Sequence, residues 1–457
     1  NIYNPTNNQI IATMPEMGAS ETKYAIEVAH QAFDKWKKKT AKERCSILRK
    51  WYNLVLDNID DLAIIMTYEN GKPLKESKAE IIYASSFIDW FSEEGKRAYG
   101  RSIPATQPDK RIITIKQPVG VCALITPWNF PAAMITRKVA PALAAGCSVI
   151  IKPAEQTPLS ASALVYLAEK AGIPKGVINL LVANNPTPIG KELCDNFSVR
   201  KISFTGSTEV GKILIKDSAD SVKRISMELG GNAPLIVFND ADIEVAVKET
   251  LASKYRNSGQ TCVCANRIFV QEGIYEKYSQ ALAKKVNSFN VGDGFEDASD
   301  IGPLIDESGL KKVERHLEDA ISKGAKVLTG GKQPSLGGLY FEPTVLTEVQ
   351  SNMVLFKEET FGPLAPLFKF KDISEVVNMA NNTNYGLAGY IFTKDINTAW
   401  QVSEELQFGM VGINSGILST EVAPFGGVKE SGIGREGAIE GIDEYMEIKY
   451  LCFGNIL

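Results

Sequence analysis

Histidine is nearly absent from this sequence: only His30 and His316 occur among its 457 residues. Both lie in segments with the apolar spacing of a helix, and neither has a cysteine or a set of acidic ligands beside it. A Ser-His-Asp triad, a Cys-His dyad and a histidine-rich metal site are therefore not expected. If the protein is an enzyme, its proton acceptor must be a carboxylate, a lysine or a tyrosine.

A strong excess of charge, a long apolar run and internal repeats are also missing. The 50 lysines and arginines and the 54 acidic residues leave a net charge of −4 and form no basic stripe, so no nucleic-acid partner is expected. The longest uncharged stretch, residues 117–136, contains three prolines. It is predicted to form strand and loop, so no membrane span is expected.

The seven cysteines are an odd number, and most of them stand among apolar residues, as Cys122 and Cys147 do. This pattern predicts buried thiols that pack in the interior. It is typical of a protein from a reducing, cytoplasmic environment.

The length predicts two or three domains, since a typical domain has about 100–200 residues. The sequence begins at Asn1 and not at methionine, so we expect the natural chain to start upstream. The first hundred residues are mainly helical, with apolar residues on one face from Tyr24 to Trp36. Thr40 and Glu43 match a capping box that begins a second helix, extending toward Asp57.

Beyond residue 119 the pattern changes to short apolar runs, most of them separated by alanine-rich helical segments. This alternation predicts an α/β fold with a parallel sheet that is buried on both faces. Ligands of such sheets bind at the carboxyl ends of the strands. The predicted strands are residues 121–125, 147–151, 177–182, 201–204 and 225–229.

Three further segments complete the predicted organisation. A second αβ region runs from about 235 to 415, with helices around 274–286 and 311–323. Alternating residues within 101–118 predict a hairpin, and the alternation after residue 443 predicts an edge strand.

Cys262 differs from the other cysteines because small polar residues precede it, in Asn-Ser-Gly-Gln-Thr-Cys. Glycine and serine beside a thiol suit a substrate that docks against backbone amides. Cys262 and Cys264 also form a Cys-X-Cys pair, which resembles half of a metal site. No second cysteine pair or histidine cluster completes such a site, so no metal is expected.

Two other segments are ambiguous when taken alone. Glu228 ends an apolar strand and precedes two glycines, which fits a turn or helix cap as well as a catalytic acid. Residues 206–211 lack the second glycine of the Gly-X-Gly-X-X-Gly fingerprint. They predict a strand-to-helix turn whose amides could face a phosphate.

In their order along the chain, these segments together resemble the aldehyde dehydrogenase superfamily from near residue 1 to the C-terminus. Residues 255–267 and 128–138 are similar to succinate-semialdehyde dehydrogenase in particular. The resemblance is carried by residues 127–131, 152–158, 204–208, 228–231, 259–262, 359–363 and 424–432.

The resemblance implies a catalytic mechanism. Cys262 would attack the aldehyde as a thiolate and form a thiohemiacetal, whose oxyanion the Cys262 amide and the Asn129 side chain would hold. Glu228 would act as the base that activates water for thioester hydrolysis. A free thiol has a pKa of about 8.5, so the nucleophile needs either a lowered pKa or an assisting base.

The resemblance also implies an NAD or NADP site. Lys152 and Glu155 would contact the adenosine ribose, and Glu155 stands where several NADP-preferring relatives have serine. Its carboxylate can bind both ribose hydroxyls but would repel a 2′-phosphate, so NAD is favoured; the nearby Lys152 keeps NADP open. Gly206 and Ser207 would face the pyrophosphate. The nicotinamide half and the remaining cofactor contacts would involve Glu359, Phe361, Trp128, Ala154 and Leu229.

Arg137, Arg256 and Ser419 match positions that bind the substrate carboxylate in succinate-semialdehyde dehydrogenases. Taken alone, Arg137 also fits a surface helix residue and Arg256 an arginine that staples a loop. Together they favour a small carboxylated aldehyde, such as succinic semialdehyde, as the substrate.

Cys264 invites a separate hypothesis. Two cysteines one residue apart can form a strained, easily reduced disulfide, which would consume the nucleophile Cys262 and reversibly inactivate the enzyme. The alternative is a small packed thiol.

The predicted architecture is α/β and has three parts. Residues 1–100 and 119–230 would form a Rossmann-like dinucleotide-binding domain, and residues 231–430 an α/β catalytic domain. A small β extension, from 101–118 and 443–457, would pair between subunits of a homodimer or homotetramer.

Several other functions also fit parts of the sequence. The nearest is oxidation of a different semialdehyde, such as glutarate semialdehyde. A CoA-acylating enzyme is disfavoured because the hydrolytic base Glu228 is present. A non-catalytic member of the fold and a thiol redox or metal-binding protein are the alternatives from other classes.

Overall fold

The computed structural model describes residues 1–456. A short antiparallel ribbon and four helices precede the first large sheet. The face of the first helix that carries Ala25, Ala29 and Trp36 is buried as predicted, but Tyr24, which was placed on that face, is 69% exposed. The capping box is confirmed by hydrogen bonds between Thr40 and Glu43 in both directions. The elements are β1 (Ile2–Tyr3), β2 (Ile10–Ala12), α1 (Ala19–Trp36), α2 (Ala41–Asp57), α3 (Ile59–Asn70), α4 (Leu74–Glu94), β3 (Arg101–Ile103) and β4 (Arg111–Pro118).

The predicted parallel sheet is confirmed. Each of the five apolar runs contains a strand, and the five strands are parallel in the order β9-β8-β5-β6-β7. The strand order reverses at the central strand β5, which is where ligands bind in such sheets. The elements are β5 (Val121–Ile125), α5 (Ala133–Ala145), β6 (Ser148–Lys152), α6 (Pro158–Lys170), β7 (Ile178–Leu180), α7 (Thr187–Asp195), β8 (Val199–Thr205), α8 (Thr208–Ser218) and β9 (Arg224–Glu228).

The second αβ region forms a seven-stranded sheet with the order β12-β13-β14-β11-β10-β15-β16, in which only β12 is antiparallel to its neighbour. Its elements are β10 (Ala233–Val237), α9 (Ile243–Lys254), β11 (Ala265–Gln271), α10 (Tyr275–Val286), α11 (Glu307–Ser322), β12 (Lys326–Thr329), β13 (Thr344–Thr347), α12 (Val354–Lys357), β14 (Leu364–Phe370), α13 (Ile373–Asn381), β15 (Ala388–Phe392), α14 (Ile396–Glu405) and β16 (Met410–Ile413).

One helix of this region begins earlier than predicted. The sequence indicated a helix from residue 311, but α11 begins at Glu307 because Asp306 caps it, accepting a hydrogen bond from the amide of Gly309 at 2.9 Å. The additional turn lines a cavity between the regions of the two large sheets.

The chain then returns to the first sheet before it ends in the third. The elements are β17 (Gly432–Ile433), α15 (Glu440–Asp443) and β18 (Met446–Phe453). Strand β17 pairs antiparallel with β9, so the first sheet has six strands. The predicted hairpin and edge strand are confirmed as a three-stranded antiparallel sheet, β18-β4-β3. The division into three functional domains stays a prediction.

Among the helices of residues 1–456, none is both long and apolar enough to cross a membrane.

Candidate active site

A cavity of about 380 Å³ lies among the segments that follow β5, β8 and β9. Two of these strands, β5 and β8, flank the point where the strand order of the first sheet reverses. The second region closes the cavity with the first turns of α11 and the segments before β11 and β14. Six of the predicted cofactor residues and two of the predicted catalytic residues line it: Trp128, Gly206, Ser207, Leu229, Glu359, Phe361, Asn129 and Cys262.

Cys262 follows a tight turn, Arg256–Gly259, between α9 and β11. Asn257 and Ser258 in this turn have positive φ angles of 50° and 58°, a conformation that is strained for residues with side chains. A side chain at Gly231 would collide with the carbonyl of Cys262. Glycine is therefore needed there because the chain after β9 passes directly over the nucleophile.

The resting thiol of Cys262 is protonated. Burial raises its pKa to about 12, and the neighbouring carboxyl of Glu228 adds to the rise, while the charge of Arg137 opposes it. A thiolate can form either because the thiol pKa is lowered or because a base removes the proton. The resting site does not lower the pKa of Cys262. The nucleophile therefore needs a base.

Asn129 is buried and its side-chain amide is held on both sides. Its Nδ2 donates to the carbonyl of Gln260 at 3.1 Å, and its Oδ1 accepts from the amide of Phe130 at 3.1 Å. An amide nitrogen carries two hydrogens, so one N–H stays available to a ligand in the cavity. The structure thus places a fixed donor in the same cavity as the Cys262 thiol.

Glu228, the last residue of β9, is buried, and neither of its carboxyl oxygens has a hydrogen-bond partner. Burial raises the pKa of this carboxyl well above its usual range, and the nearby Glu436 raises it further. Glu436 in turn forms ion pairs with Lys138 and Arg137. A carboxyl whose pKa is raised by burial is suited to general acid–base work.

Glu436 and Lys138 were not identified from the sequence as members of the site. They are 298 residues apart in the chain, and each follows another charged residue, Arg137 or Arg435, so neither stands out in its segment. Only the folded structure shows that both are buried next to Glu228.

The residues predicted to contact the adenosine ribose lie beside the main cavity. Lys152 is buried at the end of β6, and its Nζ is 3.0 Å from the carboxylate of the half-exposed Glu155. Ala154 between them is also buried. Glu155 lines a neighbouring cavity together with Asn184.

The main cavity fits the phosphate and nicotinamide portions of a dinucleotide. Gly206 and Ser207 precede α8, and the positive end of that helix favours an anion. Thr205 lines the cavity with a hydroxyl that has no partner. Glu359 accepts a hydrogen bond from the amide of Gly231 at 3.0 Å, and burial raises its pKa to about 7.

Lys312 is a further cavity residue that the sequence did not indicate. It lies on α11, lines the cavity and is close enough to affect the carboxyl of Glu359. Lys312 was missed because the predicted helix began at residue 311, whereas α11 begins at Glu307. Without its first turn, the helix did not show which of its faces lines the cavity.

The three predicted substrate residues meet around Tyr83. Arg137 is fully buried on α5, with Nε 2.9 Å from Glu436 Oε2, so the alternative of a surface arginine is wrong. The charges of Arg137 and Arg256 both act on the Tyr83 hydroxyl, which also has Ser419 beside it.

These side chains keep unused hydrogen-bond donors. Nη2 of Arg137 and Nε of Arg256 are buried without partners. Buried donors without acceptors are costly, so these two N–H groups could bind an anionic oxygen ligand. Tyr83 gave no sequence signal because it resembles any other aromatic residue of an amphipathic helix.

All seven cysteines are free thiols. Cys264 is buried, and its Sγ accepts a hydrogen bond from Nζ of Lys254 at 3.2 Å. Whether Cys264 acts as a redox partner of Cys262 stays a hypothesis.

Known proteins are similar to this chain over almost its whole length. A glutarate-semialdehyde dehydrogenase of Pseudomonas aeruginosa is 56% identical over 455 residues, which are 100% of this chain and 94% of the relative. A succinate-semialdehyde dehydrogenase [NADP(+)] of Escherichia coli is 56% identical over 453 residues, covering 99% of this chain and 94% of the relative.

Solved structures and family profiles agree with these relatives. A crystal structure of succinate-semialdehyde dehydrogenase from Burkholderia pseudomallei superposes with a TM-score of 0.98 at 56% identity, covering 99% of this chain and 94% of that one. The profile of the aldehyde dehydrogenase family matches residues 1–451. The chain is a member of the aldehyde dehydrogenase family.

Proposed function

We propose that this aldehyde dehydrogenase oxidises a small carboxylated aldehyde, with succinic semialdehyde as the preferred substrate and succinate as the product. The observation that carries the proposal is the pair of buried guanidinium groups, Arg137 and Arg256, whose unused N–H donors lie near the nucleophile. A substrate carboxylate would satisfy these donors while the aldehyde group reaches Cys262. Ser419 would add a hydroxyl to the same carboxylate site.

The first step is attack of the Cys262 sulfur on the aldehyde carbon. A C–S bond forms, the carbonyl electrons move to oxygen, and the thiol proton passes to the carboxylate form of Glu228. The oxyanion accepts hydrogen bonds from Nδ2 of Asn129 and from the amide of Cys262. Such donors typically contribute about 2.7–4 kcal/mol each to transition-state stabilisation.

The dinucleotide supplies the oxidising chemistry: when bound, NAD(P)+ accepts the hydride from the former aldehyde carbon. Within this chain, Gly206 and Ser207 would face its pyrophosphate. Glu359, Phe361, Trp128 and Leu229 would hold its nicotinamide half.

Glu228 then has a second task, the hydrolysis of the thioester on Cys262. It first releases the thiol proton to solvent and so returns to the carboxylate form. It then accepts a proton from water as the water oxygen attacks the acyl carbon. The C–S bond breaks, the acid is released, and the Cys262 sulfur leaves as a thiolate that recovers a proton from Glu228. The absence of a usable histidine leaves this work to a carboxylate, and Glu228 is the buried one with free oxygens.

For the cofactor, NAD is proposed in preference to NADP. The Glu155 carboxylate can bind the two hydroxyls of an adenosine ribose but would repel a 2′-phosphate. Lys152, the cation that could attract such a phosphate, is already paired with Glu155 at 3.0 Å. The E. coli relative is named for NADP(+), so this preference would distinguish the two proteins.

A second substrate, glutarate semialdehyde, is favoured by one specific observation: the 56% identical relative from P. aeruginosa is named for it. Its additional methylene would still place a carboxylate toward the arginines. The difference in binding from one methylene is worth only about 1–3 kcal/mol, so both aldehydes must be measured.

The test is steady-state kinetics with C2–C6 aldehydes, with and without a terminal carboxylate, against both cofactors. We expect the highest kcat/KM for succinic semialdehyde with NAD and much lower values for neutral aldehydes. A higher value for glutarate semialdehyde would transfer the assignment to the second substrate. Equal values for neutral and carboxylated aldehydes would reject the carboxylate site, and a tenfold preference for NADP would reject the cofactor proposal.

Cys264 is proposed as a redox partner of Cys262. One peroxide molecule would oxidise the two thiols to a disulfide and release two water molecules. The loop must move first, because the Cys264 sulfur is held by Lys254. Dithiothreitol should restore activity after peroxide treatment in the wild type but not in Cys264→Ala, and identical behaviour of the two proteins would contradict the proposal.

The proposed domain roles follow the three sheets. Residues 1–100 and 119–230 would bind the cofactor, residues 231–430 would carry the nucleophile, and residues 101–118 with 443–457 would mediate a homodimer or homotetramer. The free thiols support a reducing, cytoplasmic location.

A further inference from the structure

Three charged side chains follow one another at intervals of four residues, at and just before the start of α4: Lys72, Glu76 and Glu80. An interval of four places them on one side of the segment. All three contact the loops that carry Asn129 and Cys262. None of them belongs to the site described above.

Lys72 and Glu80 form an ion pair in which each side chain is only 1% exposed, with Nζ 2.6 Å from Oε2. The ammonium also donates to the backbone carbonyl of Asn129 at 2.7 Å and lies 4.3 Å from the ring centre of Phe130. The same carbonyl accepts a second hydrogen bond, from Nδ2 of Asn257, at 3.0 Å. Both lone pairs of the Asn129 carbonyl are therefore used, and its peptide plane is fixed.

The other oxygen of Glu80 holds the far end of the same segment. Oε1 accepts hydrogen bonds from the amides of Ala132 and Ala133, at 2.9 and 3.3 Å, where α5 begins. One ion pair thus fixes residues 129–133 at both ends.

Glu76 makes a related contact with the nucleophile loop. Its Oε2 accepts from the amide of Asn257 at 2.8 Å, the first of the two residues with positive φ. Such residues persist only where their surroundings hold them.

Stability alone is a poor reason for this arrangement. Burying an ion pair costs desolvation that its attraction often fails to recover, and an apolar pair of similar volume is often as stable. A donor that stabilises an oxyanion, in contrast, must be held within a few tenths of an ångström, because a misplacement of about 1 Å can cost about 100-fold in rate.

We propose that Lys72 and Glu80 are positioning residues that fix the Asn129 backbone, so that its side-chain amide stays aimed at the oxyanion formed on Cys262. The inference rests on the oxyanion role proposed for Asn129. It assigns to the start of α4 a part in the chemistry, although neither residue contacts the cavity.

The first test is Lys72→Met, which keeps the length of the side chain and removes its charge. We expect kcat to fall roughly 10- to 100-fold, while the KM of the aldehyde and the Kd of the cofactor change less than threefold. The rate of Cys262 alkylation by iodoacetamide should stay within twofold. Lys201→Met is the matched control, since Lys201 in β8 is equally buried, pairs with Glu444 at 3.2 Å and, within residues 1–456, makes no hydrogen bond or ion pair with residues 129–133 or 257–262. Its kcat should stay within twofold.

A double-mutant cycle separates positioning from general damage. Asn129→Ala alone should lower kcat by about 100- to 1,000-fold if it supplies an oxyanion donor. In that background, Lys72→Met should cost less than threefold more, because its effect passes through a side chain that is no longer there. Glu80→Gln should show the same coupling and serves if Lys72→Met does not fold.

The possible results are distinct. If Asn129→Ala keeps its kcat, the oxyanion role is wrong and the inference fails with it. If Asn129→Ala loses activity but Lys72→Met lowers kcat by the same factor in that background as in the wild type, the oxyanion role stands and the positioning role is overturned. A loss confined to KM, or a wild-type kcat in both Lys72→Met and Glu80→Gln, would also overturn it.

Discussion

At the scale of single residues, the two substrate arginines are not equivalent. Arg137 is partly neutralised by Glu436, whereas Arg256 makes no ion pair within 4.0 Å in the part of the chain that the structure describes, and its guanidinium packs over the ring of Phe130. Arg256 is therefore expected to provide more of the attraction for a substrate carboxylate. The carboxylate in turn would satisfy its unused Nε.

Replacing Arg256 with alanine should lower kcat/KM for succinic semialdehyde roughly 10- to 100-fold, because a hydrogen bond to a charged group contributes about 1.5–3 kcal/mol. The value for butanal, which has no carboxylate, should change less than threefold. Arg49→Ala, at an exposed ion pair with Asp89, is the control. A value for succinic semialdehyde within twofold of the wild type would show that Arg256 does not bind the carboxylate.

The second residue-scale prediction concerns pH. Glu228 must be deprotonated to accept a proton, so kcat should rise as the pH increases through its pKa. Burial and the neighbouring Glu436 raise that pKa, while the charges of Arg137 and Lys138 oppose the rise. Replacing Glu436 with glutamine removes a negative charge and frees these two cations, so the acidic limb of kcat should move to lower pH.

The measurement is kcat from pH 5 to 9 at saturating substrate, for the wild type, Glu436→Gln and Glu228→Gln. The limb should disappear with the activity in Glu228→Gln. A limb that stays in place or moves to higher pH in Glu436→Gln would show that Glu436 does not set the titration of Glu228.

At the scale of elements, the orientation of α11 predicts different roles for two adjacent lysines. Lys312 lines the cavity, whereas the adjacent Lys311 is exposed and is 3.3 Å from Glu307 on the same helix. Lys312→Met should raise the cofactor KM about tenfold, because the variant loses an ammonium that would contact the dinucleotide in this cavity. Lys311→Met should leave it unchanged, and equal effects of the two substitutions would contradict the orientation of α11 in the site.

The elements also show how far the sequence alone reaches. The strands β8 and β9 contain buried polar residues such as Lys201 and Ser226, so only short apolar runs marked them. The strands β5 and β6 were predictable because a parallel strand buried on both faces is a nearly continuous apolar run. The start of α11 was not, since its cap, Asp306, is a single acidic residue in a polar loop.

The same distinction holds in the site. Cys262, Glu228 and Asn129 stand in motifs that can be recognised along the chain. Lys72 and Glu436 stand in no such motif, because their meaning depends on partners 57 and 298 residues away. Burial and pairing of charges across such distances are properties of the folded chain, and composition does not contain them.

At the scale of the whole molecule, the third sheet is the part of the structure from which we predict self-association. It has only three strands, and β18 exposes Ile448 and Tyr450 on one of its faces, at 63% and 58%. A small sheet with an exposed apolar edge strand is marginal alone and prone to pair with another chain. A second copy of this chain would bury these side chains.

The final prediction is that Ile448→Lys combined with Tyr450→Lys will dissociate the assembly, since burying two ammonium groups at an apolar interface is unfavourable. Light scattering after gel filtration should give two or four times the subunit mass of 49.9 kDa for the wild type and one subunit mass for the variant. Phe197→Lys combined with Val222→Lys, at two apolar residues that are 72% and 88% exposed elsewhere, should leave the assembly intact. A monomeric wild type, or a variant that keeps the wild-type mass, would show that β18 does not carry the subunit contact.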